Sequence, residues 1–232
     1  MNMVGILLAG GKSTRMQQDK ALLPWADSDL LTSQYQKLKS ILVDDTDKIY
    51  VSGYRPEFNC VVDLQSGLGP LEGVRSVCRQ LKSLQVSVLI MPIDMPLLSE
   101  AILKKFVLEF YIIQAAHNKF EASHNNAKAS YNYLTTDLTN NLDGDPKINS
   151  ASEFLFKFKN YELPIIFNNA AILLQAIEHL KEQKHKRFSF KELGLYFQNY
   201  LFDNSSLNPD IFLNTNTLED WNAALSKTNV AF

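Results

Sequence analysis

The chain has 232 residues, of which 46% are hydrophobic and 21% charged. A chain of this length and composition buries roughly 70% of its unfolded surface, which excludes disorder throughout. Lys and Arg number 23 and Asp and Glu 25, a net charge of −2, so a bulk electrostatic grip on nucleic acid or an anionic membrane is excluded and any bound anion must be held locally.

Val4–Ala9 is a short apolar run that stops at Gly10-Gly11, the pattern of a buried strand. Leu30–Val43 carries Leu30, Leu31, Tyr35, Leu38 and Ile41 near helical spacing. Lys48–Ser52 and Phe58–Asp63 read as strands, Leu71–Leu84 as a helix and Val86–Ile93 as a buried strand. Ser99–Leu108 predicts a helix capped by Ser99, with Glu100 in its first turn. Phe110–Ala116 predicts a further strand. From 121 to 159 the periodicity weakens, and the turn residues of Asn140–Pro146 mark an insertion or irregular excursion. Periodicity returns with a strand at Leu163–Phe167 and helices at Ala170–Gln183 and Phe188–Leu195. Strands follow at Tyr200–Phe202 and Ile211–Leu213, then a helix at Thr217–Leu225. Strands alternating with helices predict an α/β fold with a mostly parallel sheet and helices on both faces. Such sheets bind ligands beyond the carboxyl ends of their strands.

Seven of the nine glycines fall by Gly73, so the sites of close backbone approach concentrate in the first half. Cys60 and Cys78 are the only cysteines, which provides neither a disulfide framework nor a zinc ribbon. The apolar run at the start is too short for a signal peptide, and no 18-residue apolar stretch follows. A cytoplasmic protein is expected.

Three places carry chemistry. The first strand runs into Leu8-Ala9-Gly10-Gly11-Lys12-Ser13-Thr14-Arg15-Met16, with Lys20 following. Glycines after a buried strand turn backbone N–H groups toward an anion, and Lys12, Arg15 and Lys20 add cations suited to a triphosphate. Neither the P-loop nor the G-x-G-x-x-G pattern is present. Asp94 follows a strand with no polar residue from Val88 to Ile93, at the edge where a ligand lies. One carboxylate with substrate phosphates is how proteins usually hold Mg²⁺, and the plain alternative is a cap for the following helix. Asp63 ends its strand in the same way. Gly67–Gly73 is a tight loop opening a helix, where Gly69 and Pro70 permit close approach to a flat ligand; a simple turn is the alternative. The four histidines stand in no metal-ligand spacing, and no Ser-His-Asp or Cys-His set is evident.

The order L-A-G-G-K-S-T-R-M, D-K-A-L-L-P, G-P-L-E-G, a hydrophobic strand into D-M-P, and N-T-N-T-L-E-D resembles the molybdenum cofactor guanylyltransferases, the molybdopterin-guanine dinucleotide biosynthesis family. These sit within the nucleotidyltransferases of the sugar-nucleotide type, and the resemblance covers 3–110 and about 162–225. It implies one three-layer α/β/α domain of the nucleotide-diphospho-sugar transferase kind over 1–232. Residues 1–117 would form its nucleotide-binding half and 162–225 its acceptor-binding half. It implies transfer of GMP from GTP to molybdenum-molybdopterin with Mg²⁺, releasing pyrophosphate, and molybdoenzymes or cofactor-delivery proteins as partners.

Carried onto this chain, Leu8, Ala9 and Gly10 would contact the guanine nucleotide, with Gly11 and Lys12 in the same loop. Arg15 and Lys20 would hold phosphates, Asp63 would lie near the guanosine and Asp94 would bind Mg²⁺. Ser52 stands where the family often has a nucleotide-contacting Asn. Asn214, Asn216 and Arg187 would serve the pterin side. Gln17 and Gln18 follow Met16 where the family usually has glycine. Cytidylyl relatives typically carry alanine where Gly10 stands, so Gly10 favours a purine. CTP transfer to the same pterin, transfer to a sugar phosphate, and a non-catalytic nucleotide-binding protein are the competing readings.

Overall fold

The structure is a computed structural model that describes residues 2–10, 18–42, 48–128, 153–183 and 186–228, with only the backbone described for 120–128. Its strands are β1 (Met3–Leu8), β2 (Pro24–Trp25), β3 (Ser28–Asp29), β4 (Ile49–Ser52), β5 (Cys60–Val61), β6 (Ser87–Pro92), β7 (Phe154–Phe158), β8 (Ile165–Phe167) and β9 (Gln198–Phe202). Its helices are α1 (Leu30–Ile41), α2 (Pro70–Gln80), α3 (Glu100–Lys128), α4 (Ala170–Glu182), α5 (Phe190–Leu193) and α6 (Leu218–Lys227). Seven strands form one sheet in the order β5-β4-β1-β6-β8-β7-β9, while β2 and β3 pair as a small ribbon.

β1 is parallel to both β4 and β6, and β4 is parallel to β5. β8 alone runs against its neighbours β6 and β7, and β9 is again parallel to β7. All six residues of β1 and all six of β6 are buried, because both faces of the sheet are covered. Side chains alternate between two cores. Met3, Leu7, Leu89 and Met91 join Leu38, Phe106, Phe110 and Trp221 under α1, α3 and α6. Val4, Ile6, Leu8, Val88 and Ile90 join Leu71, Val74, Leu173, Ile177 and Leu193 under α2, α4 and α5. This is the expected mostly parallel α/β sandwich. No helix among the described residues is long and apolar enough to cross a membrane.

Three expectations are corrected. Phe110–Ala116 is not a strand but the middle of the 29-residue α3. Leu103, Phe106, Val107 and Phe110 are buried at helical spacing, and nothing between Leu108 and Phe110 breaks the helix. Ile211–Leu213 is not a strand either. Asn208 caps a 3₁₀ turn over Pro209–Phe212, with Pro209 at its start. The irregular excursion is shorter than 121–159 at both ends, because α3 runs on to Lys128 and β7 lies inside it. Phe154, Phe156 and Phe158 alternate onto one face, where Phe106 stacks on Phe156 and Phe158 at 4.8 and 4.4 Å. Residues 129–152 lie outside the described residues. Smaller differences are that β5 spans only Cys60–Val61 and α5 only Phe190–Leu193, followed by a 3₁₀ turn.

Cys78 is buried, which pushes its thiol up to about 12 and leaves it a packing group rather than a nucleophile.

Candidate functional site

Strand order reverses at β1, whose neighbours β4 and β6 lie on opposite sides. The crevice beyond such a switch point is where open α/β sheets bind ligands. Ile93 N donates to Leu8 O at 3.2 Å and Ala9 N to Ser52 O at 3.2 Å, so the residues leaving β1, β4 and β6 are laced together. Gly53 N donates to Val61 O at 2.9 Å, which brings in β5 and the Asp63 that follows it. Gly10, Ser52, Asp63 and Asp94 therefore leave four adjacent parallel strands at one edge. Gly11, Lys12 and Arg15 lie outside the described residues.

Close packing, against backbone at one and against side chains at the other, explains two glycines at this edge. A β-carbon on Gly10 would sit 3.2 Å from Ser52 O and 3.7 Å from Gly53 Cα. An alanine at position 10 would thus press on the backbone of β4, which must give by a few tenths of an ångström, whatever base is bound. A β-carbon on Gly73 would collide with Ser52 Oγ and lie 3.4 Å from Asp63 Oδ1. Ser52 is accordingly buried beneath α2 rather than open to the crevice. Gly73→Ala is expected to overpack this contact and lower the melting temperature by about 3–10 °C. Ser52→Gly in the same chain should recover part of that loss; calorimetry of the three variants checks it, and a silent Gly73→Ala would dismiss the contact.

The Gly69-Pro70 entry to α2 is held from within. Gly69 has φ +85° and Pro70 occupies the first turn. Glu72 is fully buried, and its Oε1 accepts from Gln65 N at 3.1 Å and Arg75 Nη1 at 2.6 Å. Lys181 of α4 adds a contact to Glu72 Oε2 at 3.4 Å, and Arg75 Nε also reaches Glu178 at 2.9 Å. Burial, helped by the charge of Glu72, raises the carboxyl pKa of Asp63.

Lys20 and Asp94 meet. Asp19 accepts from Ala21 N at 3.1 Å and caps the 3₁₀ turn Lys20–Leu22. Arg55, from the loop after β4, grips the same carboxylate at 2.9 and 2.8 Å. So anchored, Lys20 Nζ lies 3.9 Å from Asp94 Oδ2 and donates to Asn216 Oδ1 at 2.9 Å. Burial lowers the Lys20 pKa against the pull of Asp94 and Asp220. Burial likewise raises that of Asp94 against the pull of Lys20. In both, lost hydration outweighs mutual attraction, so a phosphate at Lys20 and a cation at Asp94 would each restore what burial removes. Asp94 does not cap the next helix. Ser99 does, its Oγ accepting from Ile102 N at 3.4 Å.

The N-T-N-T stretch closes the site from the far end of the chain. Thr215, fully buried, donates through N at 2.9 Å and Oγ1 at 3.4 Å to Asp94 O. Thr217 caps α6, and Asp220 Oδ2 returns to accept from Thr217 N and Asn216 N, a capping box that fixes Asn216 beside Lys20. Asn214 is exposed two residues earlier. Arg187 is exposed just after α4, whose last turns reach Glu72, and it joins none of these contacts among the described residues.

Lys37 lies beneath the Asp94 loop, donating to Pro96 O at 2.6 Å and Leu98 O at 3.1 Å. Burial brings its pKa down to about 8 against the pull of Glu100. The unfolded chain holds this proton more tightly, so the stability contributed by Lys37 rises with pH from about 8 to 10.5 and is lost below. Urea midpoints of wild type should therefore climb relative to Lys37→Met across that window, and parallel midpoints would contradict the shift.

The MobA-like NTP transferase domain matches residues 5–194. The chain belongs to the MobA-like NTP transferase domain family. A molybdenum cofactor guanylyltransferase of Xanthomonas euvesicatoria pv. vesicatoria (strain 85-10) is 42% identical over 103 residues, 44% of this chain. That stretch spans about half, 52%, of the relative's length. The molybdopterin-guanine dinucleotide biosynthesis protein A of Archaeoglobus fulgidus superposes with TM-score 0.59 at 14% identity, over 97% of this chain and 99% of that one. The 2-C-methyl-D-erythritol 4-phosphate cytidylyltransferase of Thermus thermophilus gives 0.56 at 15%, over 99% and 100%. At these identities the two structures show the shared fold. In this MobA-like chain the sequence motifs missed three supports of the site: the Arg55 grip on Asp19, the buried Glu72, and the Gln34–Lys37 face of α1. Only Glu72, inside G-P-L-E-G, carried any signal.

Proposed function

We propose that this protein transfers GMP from GTP to the phosphate of a molybdenum-bearing pterin. An oxygen of the acceptor phosphate attacks the α-phosphorus, and the bond to the bridging oxygen of the β-phosphate breaks, releasing pyrophosphate. The carrying observation is the Lys20–Asp94 pair at the switch-point edge, two half-buried charges 3.9 Å apart, each of which loses more hydration than the other's attraction returns. Membership of the MobA-like family and the guanylyltransferase name of the 42% identical relative support the base and the acceptor.

Such a transfer asks for charge neutralisation and alignment more than for acid–base chemistry. Lys20 holds a phosphate, with Arg15 and the Gly10-Gly11-Lys12 backbone as further contacts. Among the described residues no three His, Cys, Asp or Glu side chains gather into a metal cage. One carboxylate, Asp94, suits Mg²⁺, which keeps waters and shares phosphate oxygens. Bound there, Mg²⁺ would neutralise charge on the leaving pyrophosphate. Asn216 orients Lys20, and Asn214 with Arg187 would meet the acceptor, so that 1–117 and 162–225 act as nucleotide and acceptor halves of one domain. Asp63, Gly69 and Pro70 line the nucleoside side, while Ser52 supports α2. The same reading puts the protein in the cytoplasm, with molybdoenzymes or cofactor-delivery proteins receiving the product.

Thermal-shift measurements with GTP, CTP, ATP and UTP, each with Mg²⁺, test the base; pyrophosphate release with GTP and molybdenum-molybdopterin tests the reaction. Preferential stabilisation by GTP and pterin-dependent release are expected. Preference for CTP, or binding without release, would overturn the assignment.

A further inference from the structure

Four carbonyls around Asp94 are held by donors from other parts of the chain. Ile93 O accepts from Gln34 Nε2 at 3.3 Å, and Asp94 O from Thr215 N at 2.9 Å. Pro96 O and Leu98 O both accept from Lys37 Nζ. Gln34 and Lys37 lie three residues apart on α1 and so share one face of it. Gln34 is buried, although its neighbours Leu30, Leu31, Tyr35 and Leu38 show that this face packs against apolar core. Placing an amide and an ammonium there costs desolvation that plain helix packing does not require. Their partners are backbone atoms on both sides of a single residue, Asp94.

Lys20 approaches the Asp94 carboxylate only to 3.9 Å, so the backbone carrying Asp94 does most to set its direction. A carboxylate that shares a cation with a phosphate must be placed to within a fraction of an ångström. We propose that Lys37 and Gln34 are positioning residues, a clamp from α1 that fixes the Asp94 loop so that its carboxylate accepts a divalent cation together with a nucleoside triphosphate. The inference rests on the functional reading above. It adds residues from α1, an element to which no site role attaches otherwise. The clamp acts through the loop and touches neither nucleotide nor cation.

The test is the Mg²⁺ dependence of GTP binding by calorimetry. Lys37→Met keeps the length of the side chain and removes its donors. The Mg²⁺ concentration for half-maximal enhancement of GTP binding should rise about tenfold, while binding in EDTA stays within about twofold of wild type. Lys37→Cys alkylated with bromoethylamine rebuilds a lysine-like amine and should return the Mg²⁺ requirement to near the wild-type value, with alkylated wild type as control. A wild-type Mg²⁺ requirement in Lys37→Met, or equal weakening with and without Mg²⁺, would overturn the clamp and leave the function untouched. Should Lys37→Met fail to fold, Gln34→Leu removes the Ile93 tie alone and is read by the same two measurements. Wild type showing no Mg²⁺-dependent nucleotide binding would overturn the functional reading, and the clamp with it.

Discussion

Asp94→Asn lowers pyrophosphate release by about a hundredfold to a thousandfold, the loss usual when one preorganised charge is removed from a site of developing charge. The substitution keeps the shape of the side chain and alters none of the backbone ties, because Ile93 O, Asp94 O and Pro96 O are held as carbonyls. The fold is therefore retained. Burial already penalises the ionised carboxylate, and the neutral amide removes that penalty while Lys20 loses an attraction at 3.9 Å. These changes oppose each other, and the melting temperature is expected to move by no more than about 3 °C, equivalent to roughly 1 kcal/mol. A helix-capping role would make asparagine an equally good replacement, but Ser99 already occupies that position at α3. Steady-state release at limiting Mg²⁺, with calorimetric melting of the same samples, separates the outcomes. Near-normal release would remove Asp94 from the reaction.

Asp94 and Lys20 were legible because each stands in a motif whose chemistry is local: a carboxylate ending an apolar strand, and a cation soon after a glycine pair that ends one. The parallel core was legible for a similar reason. β1 and β6 are covered on both faces, so their sequences are almost continuously apolar. The failures share a different cause. Phe110–Ala116 is rich in aromatic and β-branched residues, yet the helix started by Ser99 runs through it because Phe106 and Phe110 reach the phenylalanines of β7. β7 was itself hidden, a five-residue strand at the edge of an asparagine-rich stretch. Tertiary packing decided both, and local propensity could not. The supports of the site were illegible for the same reason. Lys20 and Asn216 are 196 residues apart, and Gln34 is 59 residues from Ile93. Nothing in the pattern of α1 distinguishes Lys37 from an exposed lysine until the loop after β6 is folded over it.

Lys20→Ala is expected to weaken GTP binding and turnover together by about 1.5–3 kcal/mol, roughly tenfold to a hundredfold or more, as a charge-assisted phosphate contact is lost. The fold should survive. The pair with Asp94 is long and half-compensated, and such pairs contribute little net stability. The backbone of the turn is fixed instead by Asp19, which caps it and is gripped by Arg55. Lys20→Arg should restore only part of the activity, since a planar guanidinium cannot occupy the place of a compact ammonium between Asn216 Oδ1 and Asp94 Oδ2. The geometry also predicts a coupling. Asn216→Ala removes the acceptor that orients Lys20, so in combination with Lys20→Ala its cost to GTP binding should largely vanish. Calorimetric GTP affinities of the two single variants and the double variant measure this directly. Additive losses would mean that Asn216 acts apart from Lys20, and wild-type affinity in Lys20→Ala would mean that the phosphates are held by the residues of the glycine loop alone.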